Sequence, residues 1–170
     1  MKFIEATEKD VPLIQDLARR SWEKAYTGII SDEQIEYMLT NMYSQQEIKN
    51  QLENSKYHYY LIFDDTADSY DGFMGYEHDY EKDTTKLHRI YLVPESKGKG
   101  AGKAALEFLK VKVTDFGNKR IILNVNKENI AKDFYKSQGF SVYDEVVLDI
   151  GDGFVMDDYL MEFLIHKQMN

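Results

Sequence analysis

The stretch Arg89-Ile90-Tyr91-Leu92-Val93-Pro94-Glu95-Ser96-Lys97-Gly98-Lys99-Gly100-Ala101-Gly102-Lys103 decides how this chain is read. A run of β-formers stops at Pro94, and a helical pattern begins at Gly102, with Ala105, Leu106, Leu109 and Val113 on one face and Gly117 as its stop. Three glycines fall within the five positions between Gly98 and Gly102. A glycine backbone can approach a ligand closely, and the first turn of a helix aims several unpaired N–H groups at one spot. The helix dipole adds partial positive charge there, so the loop predicts a phosphate or pyrophosphate guest. Lys97, Lys99 and Lys103, with no acid among them, strengthen that expectation.

Two nucleotide motifs can be tested by counting. A Walker loop needs a glycine where Lys97 stands and a Ser or Thr where Ala104 stands. A dinucleotide fingerprint after Gly98 and Gly100 needs a third glycine at the position of Lys103. Both fail, which leaves an anion-binding turn of another kind.

Working outward, Lys2 to Ala6 reads as a short strand, and Thr7, Asp10 and Pro12 supply helix-start chemistry. Ile14, Leu17, Ala18, Ser21, Trp22 and Ala25 then form a helical stripe that Gly28 ends. Ser31 with Gln34, and Ser44 with Glu47, form capping boxes for two short helices. Tyr57 to Phe63, Gly72 to Tyr80 and Lys86 to Val93 predict three antiparallel strands, and Arg120 to Val125 a buried one. Asn129 to Gln138 predicts a helix; Phe140 to Ile150 and Phe154 to Ile165 predict a hairpin turned by Gly151, Asp152 and Gly153. This order predicts an α/β fold, one sheet of mixed sense with helices packed on it, in a single domain over residues 1–170.

Composition bounds the rest. Hydrophobic residues make up 43% and aromatics 14%, with 13 Tyr, enough apolar surface to expect a folded core. No apolar run approaches bilayer length and the opening lacks a secretory core, so a cytoplasmic protein without membrane contact is expected. The absence of cysteine excludes disulfides, thiolate metal sites and a cysteine nucleophile, and the four histidines lack ligand spacing, so no metal is expected. A net charge of −9 disfavours nucleic acid and favours cationic small molecules. Eight acids lie between Asp64 and Asp83, and seven between Asp144 and Glu162.

Val93-Pro94, the loop ending Gly100-Ala101-Gly102, and the downstream Asn129, Ala131, Phe134, Tyr135, Gly139 and Phe140 together resemble the GNAT superfamily of acyl-CoA N-acetyltransferases. The resemblance is specific from about Leu87 to Phe140, and Lys97 stands where that family usually has Gln or Arg. It implies a seven-stranded, mostly antiparallel mixed sheet flanked by helices, with acetyl-CoA as cofactor. It implies that backbone groups of Tyr91, Leu92 and Val93 hold the pantetheine arm and Lys97, Gly98, Lys99, Gly100, Ala101, Gly102 and Lys103 the pyrophosphate. Asn129 would hold the arm from the other side, and Tyr135 would protonate the departing thiolate, as a phenol of pKa ~10 can. An amide near Leu92 would meet the oxyanion of a tetrahedral intermediate.

An amine of pKa ~10.4 is only about one part in a thousand neutral at pH 7, so direct attack needs a base. His88 is the first candidate, with Glu77 and Asp79 as rivals and His78 pointing the other way. The segments around Trp22 and Tyr26, and around Asp157 and Asp158, are similar to a GNAT branch that includes polyamine N-acetyltransferases. Aromatic faces and carboxylates suit a flexible polycation, so a polyamine is the favoured acceptor, with another small amine or a protein amine as alternatives. An acyl-CoA-binding module without turnover is the competing class, and the last strand's edge could pair two chains.

Overall fold

The computed structural model describes residues 1–166. Its elements are β1 (Lys2–Glu5), α1 (Val11–Tyr26), α2 (Asp32–Met42), α3 (Gln45–Glu53), β2 (Tyr57–Asp64), β3 (Ser69–Glu81), β4 (Thr84–Leu92), α4 (Ala101–Phe116), β5 (Arg120–Asn126), α5 (Ala131–Ser137), β6 (Ser141–Gly151) and β7 (Phe154–Leu164). Seven strands form a mixed, mostly antiparallel sheet in the order β1-β2-β3-β4-β5-β7-β6, with β4 and β5 parallel. Every expected element is present, most within one or two residues of its expected ends; β3 is longer, starting at Ser69, and α5 starts at Ala131.

Two compact units divide the chain, one of residues 1–77 and 88–105, the other of residues 78–87 and 106–170. In the first, the local chemistry behaves as read: the Ser31 and Ser44 hydroxyls accept from the amides of Gln34 and Glu47 at 3.0 and 3.1 Å. The α1 stripe buries Ile14, Leu17, Ala18 and Trp22, and β2 and β3 contribute Tyr59, Leu61, Ile62, Phe73 and Met74 to the same core. Each such side chain removed from water contributes roughly 1.5–3 kcal/mol.

The second unit packs Leu106, Leu109 and Val113 of α4 with Ile121, Leu123 and Met161 of the strands. Its hairpin turns at Gly151, Asp152 and Gly153, all with positive φ, as the local sequence required. Here too lies a buried network: Thr85 Oγ1 donates to Asn118 Oδ1 at 2.8 Å and contacts His78 Nδ1 at 2.9 Å, and Asn118 Nδ2 donates to Asp79 Oδ1 at 2.8 Å. Asp79 sits at φ 52°, outside strand geometry. The rival base of the sequence reading thus accepts from Asn118 while its own amide donates to Asn118 Oδ1 at 3.1 Å.

Candidate active site

The loop between β4 and α4 tightens first into a short turn. The amides of Ser96, Lys97 and Lys99 donate to the carbonyls of Val93, Pro94 and Ser96. From there the pattern changes: among the described residues, the amides of Gly98, Gly100, Ala101, Gly102 and Lys103 donate to no backbone carbonyl outside α4, and α4's own ladder starts with Ala104 donating to Gly100. That is the unpaired first turn the glycine spacing predicted. Gly98 and Gly100 have φ of 84° and 75°, and a Cβ at either would meet no atom within 4 Å. The residues present therefore fit a pyrophosphate: several consecutive amides are left without a backbone partner at the start of a helix, beside glycines whose side-chain positions are open. Gly100→Ala is expected to cost about 1–2 kcal/mol through its left-handed backbone and not through a clash, read as a Tm lower by a few degrees.

Two residues of this segment have partners within the chain. Lys99 does not stand ready for a phosphate, because its Nζ pairs with Asp64 at 3.0 Å and Asp71 at 3.2 Å. The Asp64 contact is the main cause that raises the Lys99 pKa, and Lys99 in turn lowers that of Asp64. Lys99 thus ties the loop to the β2–β3 hairpin, leaving Lys97 and Lys103 as exposed cations. Val93 is engaged likewise. Its N–H donates to Asp71 O at 2.8 Å, and its carbonyl accepts from Ser96 N–H and Ser96 Oγ, so neither backbone group is open to a pantetheine arm. Tyr91 and Leu92 are half-buried at the end of β4.

On the same unit, His88 Nε2 and Glu77 Oε1 are 2.9 Å apart, each side chain about a quarter exposed. Two of the three candidate bases are thus one hydrogen-bonded pair. Tyr57 stacks on the His88 ring at 5.2 Å and lies 5.1 Å from Tyr59, to which Arg89 Nη1 donates at 2.6 Å. A Cβ at Gly75 would stand 2.9 Å from Tyr57 Oη, so glycine there makes room for the phenol. Tyr57 and Tyr59 are two apart on β2 and share a face, yet consecutive β4 residues reach them.

Arg89 was missed in the sequence. Its guanidinium lies 4.4 Å over the Tyr43 ring, and the residue is only 6% exposed. Its signal was available: a charge at the inward position of an apolar strand run. Trp22 and Tyr26, expected to present open aromatic faces, are instead core residues, with Trp22 4.6 Å from Tyr26 and 5.4 Å from Tyr91. Burial above all holds the phenols of Tyr43, Tyr57 and Tyr59 protonated, with pKa values raised above the ordinary one.

The remaining candidates belong to the second unit. Asn129 Oδ1 accepts from the Ala131 amide at 2.9 Å, starting α5, so only its Nδ2 group remains to be offered to a ligand. Tyr135 is buried between Phe134 and Phe140, with ring centroids 5.7 and 5.9 Å away. Asp157 pairs with Lys127 at 3.0 Å. Asp158 is buried, and burial pushes its carboxyl above the ordinary range, against a hydrogen bond with Asn124. Asp157 stays about half exposed beside Lys127, whereas Asp158 is enclosed.

The description "Acetyltransferase (GNAT) domain" matches residues 27–159. A spermidine N(1)-acetyltransferase of Thermoplasma acidophilum is 31% identical over 157 residues, 91% of each chain. An uncharacterised N-acetyltransferase of Lactobacillus delbrueckii is 24% identical over 99% of this chain and 98% of its own. The crystal structure of the PaiA N-acetyltransferase of Thermoplasma acidophilum in complex with coenzyme A superposes with a TM-score of 0.82 at 27% identity, covering 96% of this chain and 98% of that one.

Proposed function

The chain belongs to the GNAT acetyltransferase family, and from that premise we propose that it transfers the acetyl group of acetyl-CoA to a primary amine by direct attack of the amine. The observation that carries the proposed chemistry is the His88–Glu77 pair. With Nε2–H donating to the Glu77 carboxylate, the imidazole keeps its lone pair on Nδ1, and the carboxylate stabilises the cation formed when that nitrogen takes a proton. His88 is then the base for the incoming ammonium, and Glu77 positions it. When bound, acetyl-CoA supplies an activated thioester. The amides of Gly98, Gly100, Ala101, Gly102 and Lys103 would hold its pyrophosphate, with Lys97 and Lys103 adding charge. Tyr135 would hold the proton for the leaving sulfur, and the Nδ2 group of Asn129 would steady the cofactor arm.

A second reading concerns the acceptor. The relative at 31% identity is a spermidine N(1)-acetyltransferase, which supports a polyamine. The test is a thiol-release screen with acetyl-CoA over polyamines, amino acids, aminoglycosides and peptide amino termini. Coenzyme A binding without thiol release from any of them would leave a binding module in place of an enzyme. Tyr135→Phe is expected to lower kcat by about tenfold or more while leaving the KM for acetyl-CoA within about twofold. An equal change in both would mean that the ring only packs.

A further inference from the structure

The aromatic cluster of the first unit holds a cation with no opposite charge. Arg89 is almost wholly buried, and among the described residues it donates one hydrogen bond, to Tyr59, and pairs with no carboxylate. The phenols around it do not neutralise it, since burial keeps them protonated. Beside it, the buried Tyr43 Oη, Tyr57 Oη and Trp22 Nε1 make no hydrogen bond of good geometry, and their nearest polar neighbours are one another and the Tyr59 hydroxyl. Tyr43 lies under the guanidinium and Trp22 is 6.1 Å from Tyr43. Tyr57 bridges the cluster to His88, stacking on it at 5.2 Å. Buried polar groups are almost always satisfied, and several orphaned donors beside an unpaired guanidinium specify the partner they lack, an anionic acceptor group.

We infer that Arg89 receives a carboxylate carried by the acceptor, so that the substrate is an amine with a carboxylate a few bonds from its nitrogen. This rests on the amine-acetylation reading and narrows its acceptor away from a polyamine. The placement supports it. His88 and Arg89 are consecutive and both reach the Tyr57–Tyr59 face, so one small molecule can present its ammonium to the imidazole and its carboxylate to the guanidinium. The side chains of His88 and Glu77 are partly exposed while Arg89 is not, so the amine end lies nearer solvent and the carboxylate end lies deeper. A planar fork suits a carboxylate, and the phenols of Tyr43 and Tyr57 supply the remaining donors.

The experiment compares amino carboxylates with the matched amines that lack the carboxylate, and with spermidine, in the thiol-release assay. The expected result is a kcat/KM at least about a hundredfold higher for the amino carboxylate, since a site built around a polar group rejects analogues without it. Arg89→Gln is expected to bring that ratio to about one, and Arg89→Lys to restore part of it. Equal rates for the matched pair, or spermidine as the best acceptor, would overturn the inference while leaving the transferase reading intact. No thiol release from any acceptor would sink that reading instead. A binding measurement then still decides the anion site. Trp22 is the only tryptophan, so a saturable change in its emission on titration of the wild-type protein with acetate, absent with methylamine, supports the site. No acetate-dependent change, or the same change in Tyr57→Phe and Tyr43→Phe variants, overturns it.

Discussion

Replacing His88 by glutamine is expected to lower kcat/KM at neutral pH by about 10²- to 10⁴-fold, the usual range for loss of a general base. Glutamine keeps a donor for the Glu77 carboxylate, 2.9 Å away in the wild type, so local packing changes little. What it cannot do is accept the proton of the incoming ammonium. The pH profile separates the chemical loss from a structural one. With His88 present, kcat/KM rises through an imidazole limb, whose ordinary pKa is ~6.5. Without it, the rise moves to the amine's own pKa near ~10. Glu77→Gln acts through His88: the imidazolium loses its counter-charge, so the limb moves to lower pH, and the rate falls by about tenfold. Glu77→Asp is expected to return the limb part of the way. An unchanged limb in His88→Gln would remove the histidine from the proton path and leave a water relay in its place.

Local chemistry was legible in the sequence; partnerships between distant segments were not. The Ser31 and Ser44 caps, the Gly151 to Gly153 hairpin and the unpaired amides of Gly98 and of Gly100 to Lys103 each depend on a few consecutive residues, and the structure places each where the sequence did. Lys99 looked like a phosphate ligand because the loop alone has no acid, but its partners Asp64 and Asp71 arrive from the neighbouring hairpin. Asp157 shares Lys127 with Glu145, a pairing across segments that the local sequence did not show. His88 and Glu77 looked like rivals because 11 residues separate them, and only strand pairing shows that they are one device. Arg89 stood as a charge at the inward position of an apolar strand run, but its partners, the Tyr43 ring and the Tyr59 hydroxyl, come from distant segments.

The second large effect is expected at Gly72, where the requirement is space. A Cβ there would lie 2.1 Å from the Tyr91 carbonyl oxygen and 3.0 Å from Leu92 Cα. Both atoms are backbone, so no rotamer change relieves the overlap, and β3 and β4 must separate locally. The adjoining contacts offer no slack: Val93 N–H is held by Asp71 O at 2.8 Å, and Lys99 is held by the Asp71 side chain. Gly72→Ala is therefore expected to cost about 3 kcal/mol or more, at the upper end for inserting one methyl into packed structure. The damage falls on the segment that leads into the glycine loop. Where the variant folds, its affinity for acetyl-CoA is expected to drop by more than the global destabilisation explains. Urea unfolding and acetyl-CoA titration of the same preparation check this pair of outcomes. Wild-type stability together with wild-type affinity would mean that β3 and β4 do not approach as closely as 2.1 Å requires. The contrast with Gly100→Ala is the control, because there the added methyl meets open space and only the backbone preference is charged.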